Sequence, residues 1–189
     1  MDTFFTYACS NTNQIMQSEK IIVPVELDGL KSLSEKGKAN PNAVRTLKCT
    51  TVQTDKFRHE NRVRDLDPHI IDEPPALLGD DTAPNPSEAV LAALGSCLAV
   101  GIHANCVFKG ISLTKLVLEL EGDINISAVW GTGDLNTEKI VGFSDIRVKV
   151  DVQGDATKET FDEIIAHSND WSPVANTIRL PVNLSVQPS

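Results

Sequence analysis

The chain has 189 residues, of which 41% are hydrophobic, 23% charged and 5% aromatic, with 26 acidic and 17 basic side chains and a net charge of −9. This composition predicts a soluble globular protein, able to bury about 70% of the surface that its unfolded chain exposes. It excludes a disordered or collagen-like chain. The acidic excess also argues against nucleic acid or an anionic membrane as a partner, because both select basic surfaces.

The first 20 residues are polar, and we expect them to form a loosely held arm in front of one domain that spans residues 21–189. The start of the chain has no basic segment followed by an apolar one, and no run approaches the roughly 20 apolar residues that cross a bilayer. We therefore expect a cytoplasmic protein. The cysteines have no spacing typical of a disulfide framework or a zinc site, so free thiols are predicted at Cys9, Cys49, Cys97 and Cys106.

The first part of the predicted domain contains short elements rich in β-branched residues. Asn40-Pro41 marks the end of a helix, and a turn is expected near Asp55. Arginines cluster on or beside this turn, at Arg58, Arg62 and Arg64. The predicted elements are a strand over 21–27, a helix over 28–38 and two antiparallel strands over 44–54 and 62–72.

The strongest pattern is a long apolar helix that begins at Asn85. The segment 85–88 supplies an N-cap acceptor, a proline in the first turn and Glu88 in the position of a capping box. From residue 89 to residue 102 only Ser96 has a polar side chain, so the helix is apolar on every face, as helices at the centre of a fold are. It is expected to end at Gly110, too short to cross a membrane. A second copy of the chain would cover the faces left open.

The rest of the chain predicts two alternating strands and an amphipathic helix. The connection between the strands has room for a short strand around Trp130, and the helix turns Phe161, Ile164 and Ile165 inward. With about six strands and two principal helices, the chain is predicted to be α+β rather than a parallel βαβ array. These last predicted elements are strands over 113–123, 146–153 and 180–186 and a helix over 157–169.

Cys97 lies in the middle of the predicted central helix, about 16 Å from its positive end, too far for the helix dipole to activate the thiol. A buried thiol is inert unless a cation reaches it, and a guanidinium is the cation that stays charged in a desolvated pocket. Arg58, Arg62 and Arg64 are the candidates; the alternative for each is a solvated strand edge. Cys106 points to the opposite side of the helix and is out of reach of a disulfide with Cys97.

No metal or nucleotide cofactor is expected. The four histidines lack metal-ligand spacing, and no glycine-rich phosphate motif is present. The adjacent carboxylates of Asp72 and Glu73 are expected to be solvated loop charges. The ordinary role of Glu88 is to cap the helix, and the alternative is that it holds an arginine over a pocket.

Three segments together resemble the OsmC/Ohr family: residues 69–79 with Asp-Glu-Pro-Pro, residues 85–88 with Asn-Pro-Ser-Glu, and residues 92–98 with Ala-Ala-Leu-Gly-Ser-Cys-Leu. The resemblance extends over about residues 44–186 and is to the OsmC-like branch rather than to the organic hydroperoxide resistance enzymes. It implies an OsmC-like fold: an intertwined homodimer with antiparallel sheets packed around long central helices and active sites at the subunit interface.

Enzymes of this family reduce organic hydroperoxides with a cysteine thiolate, which an arginine and a glutamate tune and a second cysteine resolves as a disulfide. By this resemblance Cys97 matches the reacting cysteine. The position of the resolving cysteine holds Ser172, whose hydroxyl cannot form a disulfide. Ser87 stands where the family has its glutamate, and Glu88 follows one residue later. Among the arginines Arg62 is slightly preferred.

Two functions follow as hypotheses. In the first, Cys97 reduces a small hydroperoxide in a single-cysteine peroxidase, and an external thiol reductant restores it, as in a response to oxidative stress. In the second, the same interface pocket binds a small apolar ligand without catalysis. A fold that has lost its chemistry is a third alternative.

Overall fold

The long helix predicted from the sequence is the central element of the computed structural model, which describes residues 21–188. The fold is α+β, as predicted, and the expected N-terminal arm lies outside the described residues. Two short 3₁₀ turns occupy Pro75–Leu77 and Val129–Gly131. The main elements are α1 (Leu27–Ala39), β1 (Thr50–Asp55), β2 (Arg58–Arg62), β3 (His69–Ile71), α2 (Pro86–Phe108), β4 (Leu113–Ile124), β5 (Phe143–Gly154), α3 (Lys158–Asp170) and α4 (Pro173–Arg179).

Helix α2 begins with the predicted capping box. The Asn85 side chain accepts a hydrogen bond from the Glu88 backbone N–H at 2.9 Å, and the Glu88 carboxylate accepts one from the Asn85 N–H at 2.8 Å. The helix ends before Gly110, whose φ of +74° favours glycine. Its 23 residues give it the length and composition of a membrane-crossing helix, so the prediction that it is too short for one is wrong.

One face of α2 packs against the β4–β5 sheet and the C-terminal helices. The buried residues of this face recur every four positions, at Leu94, Leu98, Ile102 and Cys106. Burying a large aliphatic side chain of this kind stabilises the fold by about 1.5–3 kcal/mol. The rest of the core comes from β4, α3 and α4, at Leu113, Phe161, Ile164 and Ala175.

The strands form two antiparallel sheets. In one, β4 and β5 pair along their length, with Leu118 opposite Val150. In the other, β2 lies between β1 and β3, with Glu60 opposite both Val52 and Ile70. The two strands β4 and β5 lie against α2, and the three strands that precede α2 in the chain form a separate antiparallel sheet.

The N-terminal predictions need correction. Residues 21–26 form no strand, although the Ile22 N–H donates to the Leu113 carbonyl at 2.8 Å. The predicted turn near Asp55 is confirmed, because Lys56, with φ of +38°, returns the chain at once into β2. The first strand is shorter than predicted, and the second begins earlier, at Arg58. The second predicted strand, 62–72, consequently divides into the end of β2 and the separate β3.

Two C-terminal predictions also need correction. The connection after β4 holds a 3₁₀ turn at Trp130 instead of a strand, because Val129 and Trp130 have φ of +40° and +51°, outside the extended region. Residues 180–186 form no strand either; Leu184 is 86% exposed. The regular structure here is α4, which the sequence reading missed. The helix predicted over 157–169 is confirmed as α3.

Candidate functional site

The structure brings Cys97 and Ser172 together from positions 75 residues apart. Cys97 lies on α2 and is partly exposed, whereas Ser172 immediately precedes α4 and is only 3% exposed. The Ser172 hydroxyl donates a hydrogen bond to the Cys97 sulfur, with an Oγ–Sγ distance of 3.1 Å. The residue that the resemblance places at the resolving position therefore touches the candidate nucleophile.

Ser172 is held in place by the junction of α3 and α4. Its Oγ accepts from the Ala175 N–H at 3.1 Å, as an N-cap residue does. Its carbonyl accepts from both the backbone N–H and the side-chain amide of Asn176, each at 3.0 Å. The same Asn176 amide donates to the Asp170 carbonyl at 2.9 Å, which ties the end of α3 to the start of α4. These bonds fix the position of the Ser172 backbone and of its Oγ atom.

Cys97 lies at the border between two faces of α2. Leu94 and Leu98 are on the buried side, whereas Ser96 and Val100 are exposed, Val100 by 70%. At 100° per residue, Cys97 falls between these two sets. Its sulfur is therefore anchored in the packed side of the helix and still reachable from the open side.

A cavity of about 350 Å³ adjoins this site. It is lined by Leu98, the neighbour of Cys97, and by Ala175, which binds the Ser172 hydroxyl. Its polar lining includes Arg179, a residue the sequence reading did not single out, whose guanidinium donates to the Asn169 side chain at 2.6 Å. Beside aliphatic side chains the lining also contains Ser144, Asp145 and Asn169, and neither Cys97 nor Ser172 belongs to it, so the cavity suits a small molecule with both polar and apolar groups.

The three candidate arginines do not meet Cys97 within the described part of the chain. Arg58 donates to the Thr82 hydroxyl at 2.6 Å. Arg62 forms an exposed ion pair with Glu60, also at 2.6 Å. Arg64 follows β2 with φ of +54°. None of the hydrogen bonds or ion pairs among residues 21–188 joins any of them to the sulfur.

Glu88 caps α2, which is the ordinary role considered above. It precedes Cys97 by nine residues on the same helix, about 13 Å along the axis. Within one chain its carboxylate therefore cannot touch the Cys97 sulfur.

The expectation that Asp72 and Glu73 are solvated loop charges is wrong, since they are only 1% and 7% exposed. Asp72 accepts from the hydroxyl and the N–H of Thr82 and from the Glu73 N–H, and these hydrogen bonds lower its pKa to about 2. Glu73 has a raised pKa because of burial and because Glu88 and Asp72 lie near it. Its Oε2 atom has no hydrogen-bond partner among the described residues.

The other described cysteines lie in different surroundings. Cys106 is fully buried, and burial raises the pKa of its thiol. Cys49 is exposed just before β1. Among residues 21–188, no three histidine, cysteine, aspartate or glutamate side chains are grouped so that they could hold a metal ion.

Comparison with known proteins agrees with this fold. The model of the family described as OsmC-like protein matches residues 79–187. An OsmC-like protein from Mycoplasma pneumoniae superposes with a TM-score of 0.60 at 17% identity, covering 72% of this chain and 89% of that one. An OsmC-like protein of unknown function from Vibrio cholerae gives 0.59 at 11% identity, covering 71% and 94%.

An organic hydroperoxide resistance protein OsmC from Legionella pneumophila gives a TM-score of 0.54 at 19% identity, covering 73% of this chain and 92% of that one. At such identities the solved structures show a shared fold and no more. A search of curated proteins found no match. The resemblance seen in the sequence is confirmed.

Proposed function

This chain belongs to the OsmC-like family, and on that premise we propose that it is a single-cysteine thiol peroxidase that reduces small organic hydroperoxides through Cys97. The observation that carries the proposal is the contact of the Cys97 sulfur with the Ser172 hydroxyl at 3.1 Å, next to a cavity that the neighbouring Leu98 helps to line. A partly exposed sulfur with a hydrogen-bond donor is a suitable nucleophile. The reducing cytoplasm would keep such a thiol active.

In the first step the Cys97 thiolate attacks the terminal oxygen of the hydroperoxide. A sulfur–oxygen bond forms as the oxygen–oxygen bond breaks, giving a sulfenic acid and an alkoxide, which takes up a proton and leaves as the alcohol. The sulfur is oxidised and the peroxide is reduced. The apolar walls at Leu94 and Leu98 would hold the organic group of the substrate.

The second step needs an external thiol. Ser172 occupies the position next to the sulfur and forms no disulfide, while Cys106 lies nine residues farther along the same helix, on another side. One external thiol attacks the sulfenic sulfur and releases water, leaving a mixed disulfide. A second external thiol then attacks this disulfide, restoring Cys97 and releasing the oxidised reductant.

We include a homodimer in the proposal. The face of α2 with Ser96 and Val100 is open in one chain, where Val100 is 70% exposed, so a second copy has apolar surface to cover there. This arrangement would let an arginine arrive from the other subunit. We favour Arg62, because its exposed ion pair with Glu60 is weak and easily exchanged, whereas Arg58 is tied to Thr82 beside the buried Asp72.

The test is to add one equivalent of cumene hydroperoxide to the reduced protein and to follow peroxide loss and intact mass together. We expect stoichiometric peroxide loss and the addition of one oxygen atom, which peptide mapping assigns to Cys97. The Cys97→Ser variant should do neither. If the wild-type protein consumes no peroxide and gains no oxygen at Cys97, the peroxidase proposal fails.

A second candidate function is noncatalytic binding of a small apolar ligand in the same cavity. It is favoured by the aliphatic part of the lining, which includes Leu94 and Leu98, and by serines at two positions, Ser87 and Ser172, where the family's enzymes carry glutamate and cysteine. Native mass spectrometry of the purified protein tests it. A ligand retained equally by wild type and Cys97→Ser, with no peroxide consumption, would establish binding over catalysis.

A further inference from the structure

We propose that Ser172 is a positioning residue that stabilises the thiolate of Cys97 by donating its hydroxyl hydrogen to the sulfur. This inference rests on the proposed function, since it assigns a task to Ser172 at the same site. The serine would promote ionisation of the nucleophile, a role different from that of a resolving cysteine. Three features support this role: the hydroxyl donates to the sulfur, Ser172 is held rigidly, and this is the hydrogen bond that the Cys97 sulfur makes among the described residues.

The direction follows from the two partners of the Ser172 oxygen. A serine hydroxyl has one hydrogen and two lone pairs. The Ala175 backbone N–H can only donate, so Oγ accepts from it, at 3.1 Å. One hydrogen and one lone pair then remain on the hydroxyl, and because a thiolate sulfur has no hydrogen to donate, the hydroxyl donates to it across the same distance of 3.1 Å. When the thiol ionises, this contact becomes a hydrogen bond to a charged acceptor, which is the stronger kind.

The hydroxyl is also fixed before any reaction begins. Ser172 is only 3% exposed, and its carbonyl is held by two hydrogen bonds from Asn176. A donor fixed in this way does not reorient when negative charge develops on the sulfur. Among the side-chain hydrogen bonds and ion pairs of residues 21–188, this contact is the one made by the Cys97 sulfur. Arg58 and Arg62 bind other partners in the chain, Thr82 and Glu60.

The test is the rate of Cys97 alkylation by iodoacetamide as a function of pH, quantified on the peptide that contains Cys97. In Ser172→Ala we expect the midpoint to rise by about one pH unit, a tenfold loss of thiolate below the midpoint and equivalent to about 1.4 kcal/mol. Ser172→Thr keeps the hydroxyl, so its alkylation midpoint should equal that of the wild type. The control is Thr157→Ala, which removes the N-cap of α3 far from this sulfur and should not shift it.

Ser172→Gly guards against loss of the fold, because glycine is also favoured at N-caps and removes the hydroxyl at little cost to the helix. An unchanged midpoint in folded Ser172→Ala or Ser172→Gly overturns the inference. Alkylation requires no hydroperoxide, so the two proposals fail separately. A shifted midpoint in a protein that never consumes peroxide supports the role of Ser172 and refutes the peroxidase.

Discussion

Ser172→Cys should turn the protein into a two-cysteine system. The wild-type Oγ and Sγ atoms are 3.1 Å apart, and a disulfide needs its sulfurs at about 2.05 Å, so an approach of roughly 1 Å is required. Position 172 is held at the start of α4, so the approach has to come from the side chain of Cys97, which is partly exposed. We expect the sulfenic acid formed at Cys97 to condense with Cys at position 172 and to release water.

The size of the effect on stability follows from the loop that the new bond closes. The two positions are 75 residues apart. In the chain-entropy model a loop of that length reduces the entropy of the unfolded chain by about 15 cal/mol/K, which at 25 °C stabilises the fold by about 4.5 kcal/mol, less any strain. Ser172→Cys in its oxidised form should therefore unfold at a higher urea concentration than in its reduced form.

The assay is titration with cumene hydroperoxide followed by intact mass, peptide mapping and urea unfolding. The expected mass change is the loss of two hydrogens in Ser172→Cys, against the gain of one oxygen in wild type. Ser168→Cys is the matched control, since Ser168 is equally buried on α3 but packs against Gly101, not Cys97. If a sulfenic acid persists at Cys97 of oxidised Ser172→Cys, positions 97 and 172 are not close enough to form a disulfide.

Three further predictions concern the rest of the structure. Asp72 has a pKa of about 2 in the folded protein, against an ordinary value of 3.8. The ionised carboxylate therefore stabilises the fold fully above pH 3.8, and this stabilisation is lost as the pH falls toward 2. In Asp72→Asn the urea midpoint should depend less on pH over this range. Gly79→Ala should lower the free energy of unfolding by about 1–3 kcal/mol, measured with urea, because the new Cβ would lie 1.8 Å from the Glu73 carbonyl oxygen. Gly37→Ala is the control: its Cβ would meet nothing within 4 Å, and it should raise the free energy of unfolding by up to about 1 kcal/mol. In the proposed dimer, Val100→Glu would place a charge in the interface, so the variant should sediment as a monomer while the wild type sediments as a dimer. A variant that still sediments as a dimer would exclude this face of α2 from the interface.

The central helix could be predicted from the sequence because its signals are local. The capping residues 85–88 and the apolar run after them lie within a few helical turns. In the structure residues 85–88 form the predicted capping box, and the apolar run forms the helix that follows it. Residues 180–186 show the limit of such patterns. Alternating apolar residues indicate a strand only where a neighbouring strand can pair with them, and in the described chain this segment has none.

The environment of the site was less predictable, because it depends on contacts distant in sequence. Asp72 is buried because Thr82, ten residues later, folds back onto its carboxylate. Cys97 and Ser172 are 75 residues apart, and no periodic pattern in the sequence indicates their contact. Only the family resemblance pointed to Ser172. Helix α4 could have been found, since Ser172-Pro173 is an N-cap followed by a first-turn proline.

The two proposed sources of thiolate stabilisation differ in one testable respect: Ser172 acts within one chain, whereas Arg62 would have to arrive from a second copy. Disrupting the dimer with Val100→Glu should therefore have the same effect on the Cys97 alkylation midpoint as Arg62→Ala, and combining the two should add nothing. Ser172→Ala should shift the midpoint further in either background, since its hydrogen bond does not require the partner. If Val100→Glu yields a monomer whose midpoint is that of wild type, the cation does not come from across the interface. The thiolate would then be stabilised from within its own chain.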